Sequence, residues 1–241
     1  MKSLYSEIAV ILFAIIFPTA LTFVYFVFLA GETGSIQKAA FAVGKIIQFA
    51  LPVFWVAVIC KERLFKRTNQ KFNPKLFVIS AAFGIAVFAA LLLLYQFVLS
   101  LPGGGLADNS QAVQIIKEKI SGFGITDWRA FLLLGIFYSV IHSGLEEYYW
   151  RWFVFGRLNR FLPFGIAAVV SSLGFMSHHV VLLGTYFGYT SVLCWLGSLG
   201  VAVGGLFWCR LCCESNSVRE AWFSHGIIDA AIFTVGAMIC F

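Results

Sequence analysis

Apolar residues run along this chain in blocks too long for the core of a water-soluble domain. Seven stretches are almost continuously apolar: Ile8–Leu29, Ala39–Ile59, Leu76–Leu99, Trp128–Val154, Phe164–Leu183, Tyr186–Trp208 and Glu220–Cys240. Each is near the length of about 20 residues that an α-helix needs to cross a bilayer. None shows the strict polar–apolar alternation of ten-residue barrel strands. The pattern therefore predicts an all-α, polytopic membrane helix bundle of about seven transmembrane helices, organised as one integral-membrane domain over residues 1–241. The first stretch exceeds the apolar core of a secretory signal, and only Lys2, set against Glu7, provides basic character ahead of it, so it is read as a retained span.

Between the blocks, Ser100–Asp127 is the longest connection on the predicted outer side. It opens on Pro102-Gly103-Gly104-Gly105, a turn signal. Val113, Ile116 and Ile120 then recur at helical spacing, which predicts a short amphipathic helix lying on the membrane interface. Thr126 or Asp127 is the expected N-cap of the fourth span. Ser217-x-x-Glu220 reads as a capping box for the last.

Composition sharpens this picture. Of 241 residues, 61% are hydrophobic and only 12% charged, and Phe alone occurs 27 times, which excludes a soluble, disordered or fibrous chain. The net charge of +6 is a topology signal. Lys61, Arg63, Lys66, Arg67, Lys71 and Lys75 crowd one loop, which the positive-inside rule places in the cytoplasm. Counting helices outward puts Lys2, those six, Arg157, Arg160, Arg210 and Arg219 inside, against Lys38, Lys117, Lys119 and Arg129 outside. Eleven against four predicts a multi-pass protein, in the cell membrane, with a cytoplasmic amino terminus and an external carboxyl terminus. No nucleic-acid partner is needed to explain the charge. Cys60, Cys209, Cys212 and Cys213 fall at cytoplasmic helix ends, where thiols stay reduced. Cys209-x-x-Cys212 lacks the second pair that a structural zinc site requires.

Candidate chemistry lies in the charges inside the spans, since each costs about 2.5–3.5 kcal/mol on insertion scales. Apart from Lys45, which can snorkel, they gather in the last four spans: His142, Glu146, Glu147, Arg151, His178, His179, His225 and Asp229. At about 100° per residue, Glu147 and Arg151 lie some 40° apart and can pair. Glu146 points about 140° away from Arg151 and shares its face with His142. A buried carboxylate without a cation tends toward accepting protons. Phe175 shares a helix face with His179, and His225 shares one with Asp229. In an imidazole–carboxylate pair the acid fixes the tautomer, or the two hold a water or metal.

Together these residues resemble the CPBP (Abi) group of intramembrane proteases, which includes the type II CAAX prenyl endopeptidases and bacteriocin-processing or self-immunity proteins. That pattern is EExxxR, then FxxxH, then HxxxN or HxxxD on successive helices. Here it reads Glu146-Glu147-x-x-x-Arg151, Phe175-x-x-x-His179 and His225-x-x-x-Asp229, so residues 128–241 resemble the catalytic core. The resemblance implies a glutamate-dependent endopeptidase acting on a membrane-associated or lipidated protein or peptide, with prenylated CAAX peptides, a leader or carboxy-terminal sorting segment and a regulatory membrane protein all compatible. Glu146 would be the base that activates water and His179 would help hold that water. His225 and Asp229 would stabilise the oxyanion, and Glu147 with Arg151 would fix the helix face. Two departures mark a divergent member. Asp229 stands where Asn is common, which lets it orient His225 instead, and CCESNSVREAWF lacks a Gly-Ser-Leu-Trp-Pro-like run.

No cofactor is expected. Zinc on Glu146, His179, His225 and Asp229 is the minority reading, since no HExxH is present. The alternative function is a non-catalytic membrane partner or self-immunity protein on the same scaffold. A carrier is disfavoured by the lack of inverted repeats. Counting about 1.5 Å per residue from the predicted inner helix ends puts His225 about 9 Å, Glu146 about 21 Å and His179 about 24 Å above them. A shared site therefore requires helices to tilt, start late or kink.

Overall fold

A computed structural model of the chain describes residues 4–30, 34–64, 73–107 and 110–241. Lys2, Lys66, Arg67 and Lys71 of the charge argument, with Asp108 and Asn109 ahead of the amphipathic helix, lie outside the described residues. Eight helices account for nearly all the rest, with no strand among the described residues. They are α1 (Leu4–Phe28), α2 (Ser35–Ile59), α3 (Pro74–Leu99), α4 (Gln111–Gly122), α5 (Trp128–Leu158), α6 (Phe164–Phe187), α7 (Val192–Ser215) and α8 (Arg219–Cys240). All but α4 are long and apolar enough to cross a bilayer, which makes seven. Many of their large apolar side chains face outward, Ile46, Leu133 and Leu196 among them, as a lipid solvent allows.

Helix ends follow local chemistry. Asn73 caps α3 by accepting from the Lys75 and Leu76 amides, with Pro74 in the first turn, and Asp127 caps α5 through Arg129 N and Ala130 N at 2.8 and 3.1 Å. Two expected boundaries shift. The fifth span runs on to Phe187, and the break before the sixth falls at Gly188, whose φ of 84° suits a residue without a side chain. The expected capping box does not close. Ser217 Oγ accepts from Arg219 N at 3.1 Å, but the Ser217 amide donates to Ser215 Oγ. Ser215 ends the preceding helix, so that hydroxyl is nearer to the Ser217 amide than a Glu220 carboxylate one turn ahead. Asn216, left-handed at φ 51°, forms the C′ turn of α7.

The chain divides into two compact units, with α5, α6 and α7 each contributing residues to both. The first comprises the described residues of Met1–Phe72 with Tyr148–Thr185 and Tyr189–Arg210. In it α1 and α2 pack on the second half of α5. Tyr149 Oη donates to the Ala14 carbonyl at 2.7 Å, and Gln37 Nε2 donates to Tyr25 O at 2.7 Å. One end is tied by ions: buried Arg157 reaches Glu62 at 3.0 Å and Glu7 at 3.5 Å, while Arg160 reaches Glu62 at 2.9 Å.

The second unit comprises Asn73–Glu147, Tyr186–Gly188 and Leu211–Phe241. Here α8 packs on α3 and on the first half of α5 through small residues that let backbones approach. A Cβ on Gly84 would stand 3.1 Å from Ile227 Cβ and from the Ser224 carbonyl, and Ser80 Oγ donates to the Glu220 carbonyl. The short helix α4 is present, but its apolar face turns to protein instead of the membrane interface. Val113 is fully buried in a cluster with Tyr95, Leu106, Ala112 and Ile239, and Ile116 packs against it. The ends of α3 and α8 offer apolar contacts there, so α4 caps this unit.

Candidate active site

The winding of α5 sets the stage. Phe137–His142 and Tyr148–Phe155 are wound wider than an α-helix, with five α-helical residues, Ser143–Glu147, between them. The Ser143 amide accordingly donates to Tyr138 O, five residues back. Widened turns also end α1, α2 and α3, at Val24–Phe28, Phe54–Ile59 and Tyr95–Leu99, so the winding positions side chains here without by itself marking a site. The shared face expected for His142 and Glu146 survives the winding of α5, their side chains standing 3.8 Å apart. In the first widened turn two carbonyls accept side chains: Ser143 Oγ donates to Ser139 O at 2.6 Å, and Trp222 Nε1 of α8 donates to Val140 O at 2.8 Å.

Glycines bring α8 close here. A methyl group at Gly226 would overlap the Ser139 carbonyl oxygen, and one at Gly144 would stand 2.9 Å from Trp222 Nε1. Gly226 directly follows His225, so the closest backbone approach lies beside the imidazole. The second unit thus assembles His142, Glu146, Glu147, His225 and Asp229 in one cluster. His225 Nδ1 donates to Glu147 Oε1 at 2.8 Å. Its Nε2 faces Glu146 Oε2 and Asp229 Oδ1, each at 3.7 Å. His142 Nδ1 stands 3.8 Å from the same Glu146 Oε2. These last three distances are ion-pair separations, beyond hydrogen-bond range. Glu146, Glu147 and His225 are buried, whereas the side chains of His142 and Asp229 keep 17% and 16% exposure. The depth mismatch read from sequence is resolved for Glu146 and His225, which meet.

Glu147 is the residue whose surroundings the sequence did not disclose. It holds the imidazole that Asp229 was considered to orient, and by accepting Nδ1–H it aims Nε2 at Glu146 and Asp229. A carboxylate that fixes an imidazole tautomer in this way leaves the far nitrogen for chemistry. Trp222 and Gly226 were also missed. The only signal for them was an aromatic and a glycine flanking His225 within one turn.

The remaining predicted residues belong to the first unit. His179 Nδ1 donates to the Phe175 carbonyl one turn back at 2.9 Å, and the two rings meet edge to face. The Arg151 guanidinium lies over the Phe175 ring at 4.4 Å and over Trp208 at 4.7 Å, so Phe175 of the FxxxH pattern is a platform for Arg151 as well as the start of the turn that holds His179. His178 stacks flat on Trp150, with centroids 5.8 Å apart.

The minority zinc reading fits poorly. Among the described residues no three His, Cys, Asp or Glu side chains are grouped to hold a metal ion, as donors about 2.0–2.2 Å from one centre would have to be.

Residues 128–231 match the family described as type II CAAX prenyl endopeptidase Rce1-like. No curated protein and no solved structure gives a significant match. The matched segment holds all three motifs singled out above, from Glu146 to Asp229.

Proposed function

Because residues 128–231 are an Rce1-like domain, consistent with the CPBP family, we propose that this membrane protein is an endopeptidase that hydrolyses a peptide bond in a lipidated, membrane-associated substrate, with Glu146 as the base. The observation that carries this reading is the buried Glu146 carboxylate flanked on one oxygen by two imidazoles, one of them anchored by Glu147.

The chemistry follows from that placement. Glu146 takes a proton from water as the water oxygen attacks the scissile carbonyl, which is general-base catalysis in a site shielded from bulk water. Charge gathers on the carbonyl oxygen. Carried as an imidazolium, with Glu147 on Nδ1 and the Glu146 and Asp229 carboxylates facing Nε2, His225 donates its Nε2–H to that oxygen, and needs no reorganisation because Glu147 already fixes the ring. Asp229, 3.7 Å from Nε2, keeps the ring facing the reaction. When the tetrahedral intermediate collapses, the C–N bond breaks and the nitrogen takes up the proton that Glu146 acquired. His179 is assigned the holding of the water from the Phe175-x-x-x-His179 motif alone. Within its own turn, the Nδ1–H bond to Phe175 O directs Nε2 away from the backbone.

The test is cleavage of a farnesylated CAAX-type peptide by the purified full chain in detergent or liposomes, with product masses locating the bond, with and without chelator. Cleavage next to the lipidated residue that persists in chelator supports the reading. Cleavage that chelator abolishes overturns the metal-free mechanism. No cleavage of this or any other lipidated peptide in a panel favours the non-catalytic partner.

A further inference from the structure

His142 lies outside the three motifs, yet it is built into the same cluster. Its Nδ1 faces Glu146 Oε2 at 3.8 Å, and that oxygen also faces His225 Nε2 at 3.7 Å. The base is therefore bracketed by two imidazoles of unlike setting. His225 is buried and tethered to a Glu147 that has no solvent exposure, so a proton placed on it has no outward route through that tether. The His142 side chain is the most exposed of the cluster, and its ring is steadied by Tyr138, with centroids 4.7 Å apart and planes at 32°. Tyr138 and His142 both lie in the widened turn Phe137–His142, whose register is held from α8 by the Trp222–Val140 bond. The ring is thus fixed, partly open, and turned with one nitrogen toward the base.

We propose that His142 is a second catalytic residue, the proton relay between Glu146 and the leaving nitrogen; this rests on the peptidase reading above. Glu146 first gains the proton of the attacking water. As the C–N bond breaks, His142 Nδ1 accepts that proton from Glu146 while its Nε2–H gives one to the departing amine. Glu146 returns to carboxylate, the imidazole ends neutral in its other tautomer, and exchange with solvent at the exposed rim restores the first. One intervening water, or a small rotation of the carboxylate, bridges the 3.8 Å gap, as proton transfer requires a near hydrogen-bond path. Asp229 is the other partly exposed member of the cluster. It faces His225 Nε2, whereas His142 faces the base itself.

Chemical rescue separates a relay from a structural role. In the full chain, His142→Ala is expected to lower kcat about 100-fold, within the range of acid–base effects, with KM unchanged. Added imidazole is expected to restore at least a tenth of wild-type kcat. His142→Gln, which keeps bulk and polarity, is expected to fold like wild type, to show the same loss and to gain nothing from imidazole. Wild-type kcat in His142→Ala overturns the proposal, as does a loss that imidazole leaves unchanged while the variant melts like wild type. Glu146→Gln measured in parallel keeps the two ideas apart. If it is inactive while His142→Ala is fully active, only the relay fails; if it is fully active, the peptidase reading itself fails.

Discussion

His225 on α8 and Glu147 on α5 are 78 residues apart in sequence and 2.8 Å apart in space, joined by a buried hydrogen bond from Nδ1 to Oε1. That bond decides which imidazole nitrogen faces Glu146. Glu147→Ala leaves a buried Nδ1–H without its charged acceptor, a loss of about 1.5–3 kcal/mol for a bond of this kind. The variant should melt earlier and lose kcat. Glu147→Gln, which still presents an oxygen, should recover most of the melting temperature. Equal activity of wild type and Glu147→Ala on a farnesylated peptide would refute the orienting role.

The contact between α5 and α8 depends on the absence of a side chain at residue 226. Gly226→Ala places a methyl against the Ser139 carbonyl and forces the helices apart beside His225. An overpacked site of this kind costs about 1–3 kcal/mol. Thermal unfolding in detergent should show the loss, and kcat should fall with it. Gly165→Ala serves as the control, because nothing stands within 4 Å of the added carbon.

Trp222→Phe tests the widened turn. The ring volume is largely kept while the Nε1 bond to Val140 O is lost, a change of about 0.5–1.5 kcal/mol. A small drop in melting temperature is expected, together with faster hydrogen exchange confined to the Phe137–His142 turn. Unchanged exchange there would show that the turn holds without the indole.

Much of this architecture is legible in the sequence. The seven spans follow from apolar length alone, and the Asp127 cap follows from an acidic residue directly ahead of an apolar run. The candidate residues were legible as a motif set because a bilayer makes each buried charge conspicuous. What stayed hidden depends on winding and distance. A wheel with constant angle per residue cannot foresee the two widened turns of α5, so it could not place Glu147 against His225. The α4 apolar stripe of Val113 and Ile116 reads the same whether it meets lipid or the ends of α3 and α8. Ser217-x-x-Glu220 has capping-box spacing, but the Ser215 hydroxyl at the end of α7 takes the amide that the box would use.

Outside the spans, Glu62 gives a pH prediction for the first unit. Hydrogen bonds from Arg160, aided by Arg157, hold its carboxyl at about 2, below the ordinary 4.5. A depressed folded-state value means that the contribution to stability is complete above about pH 4.5 and is lost as pH falls toward 2. The melting-temperature difference between wild type and Glu62→Gln should therefore stay constant from pH 8 to pH 5 and shrink below that. A difference that closes between pH 7 and pH 5 would contradict the pairing with Arg160.

The central claim is that the Glu146 carboxylate activates water, and the most direct measurement is single-turnover hydrolysis of a farnesylated peptide by wild type and by Glu146→Gln, with melting curves for both. The substitution keeps the shape and removes the base. The account predicts similar melting and a rate lower by about 10²–10⁴. Equal rates in two equally folded proteins would contradict it.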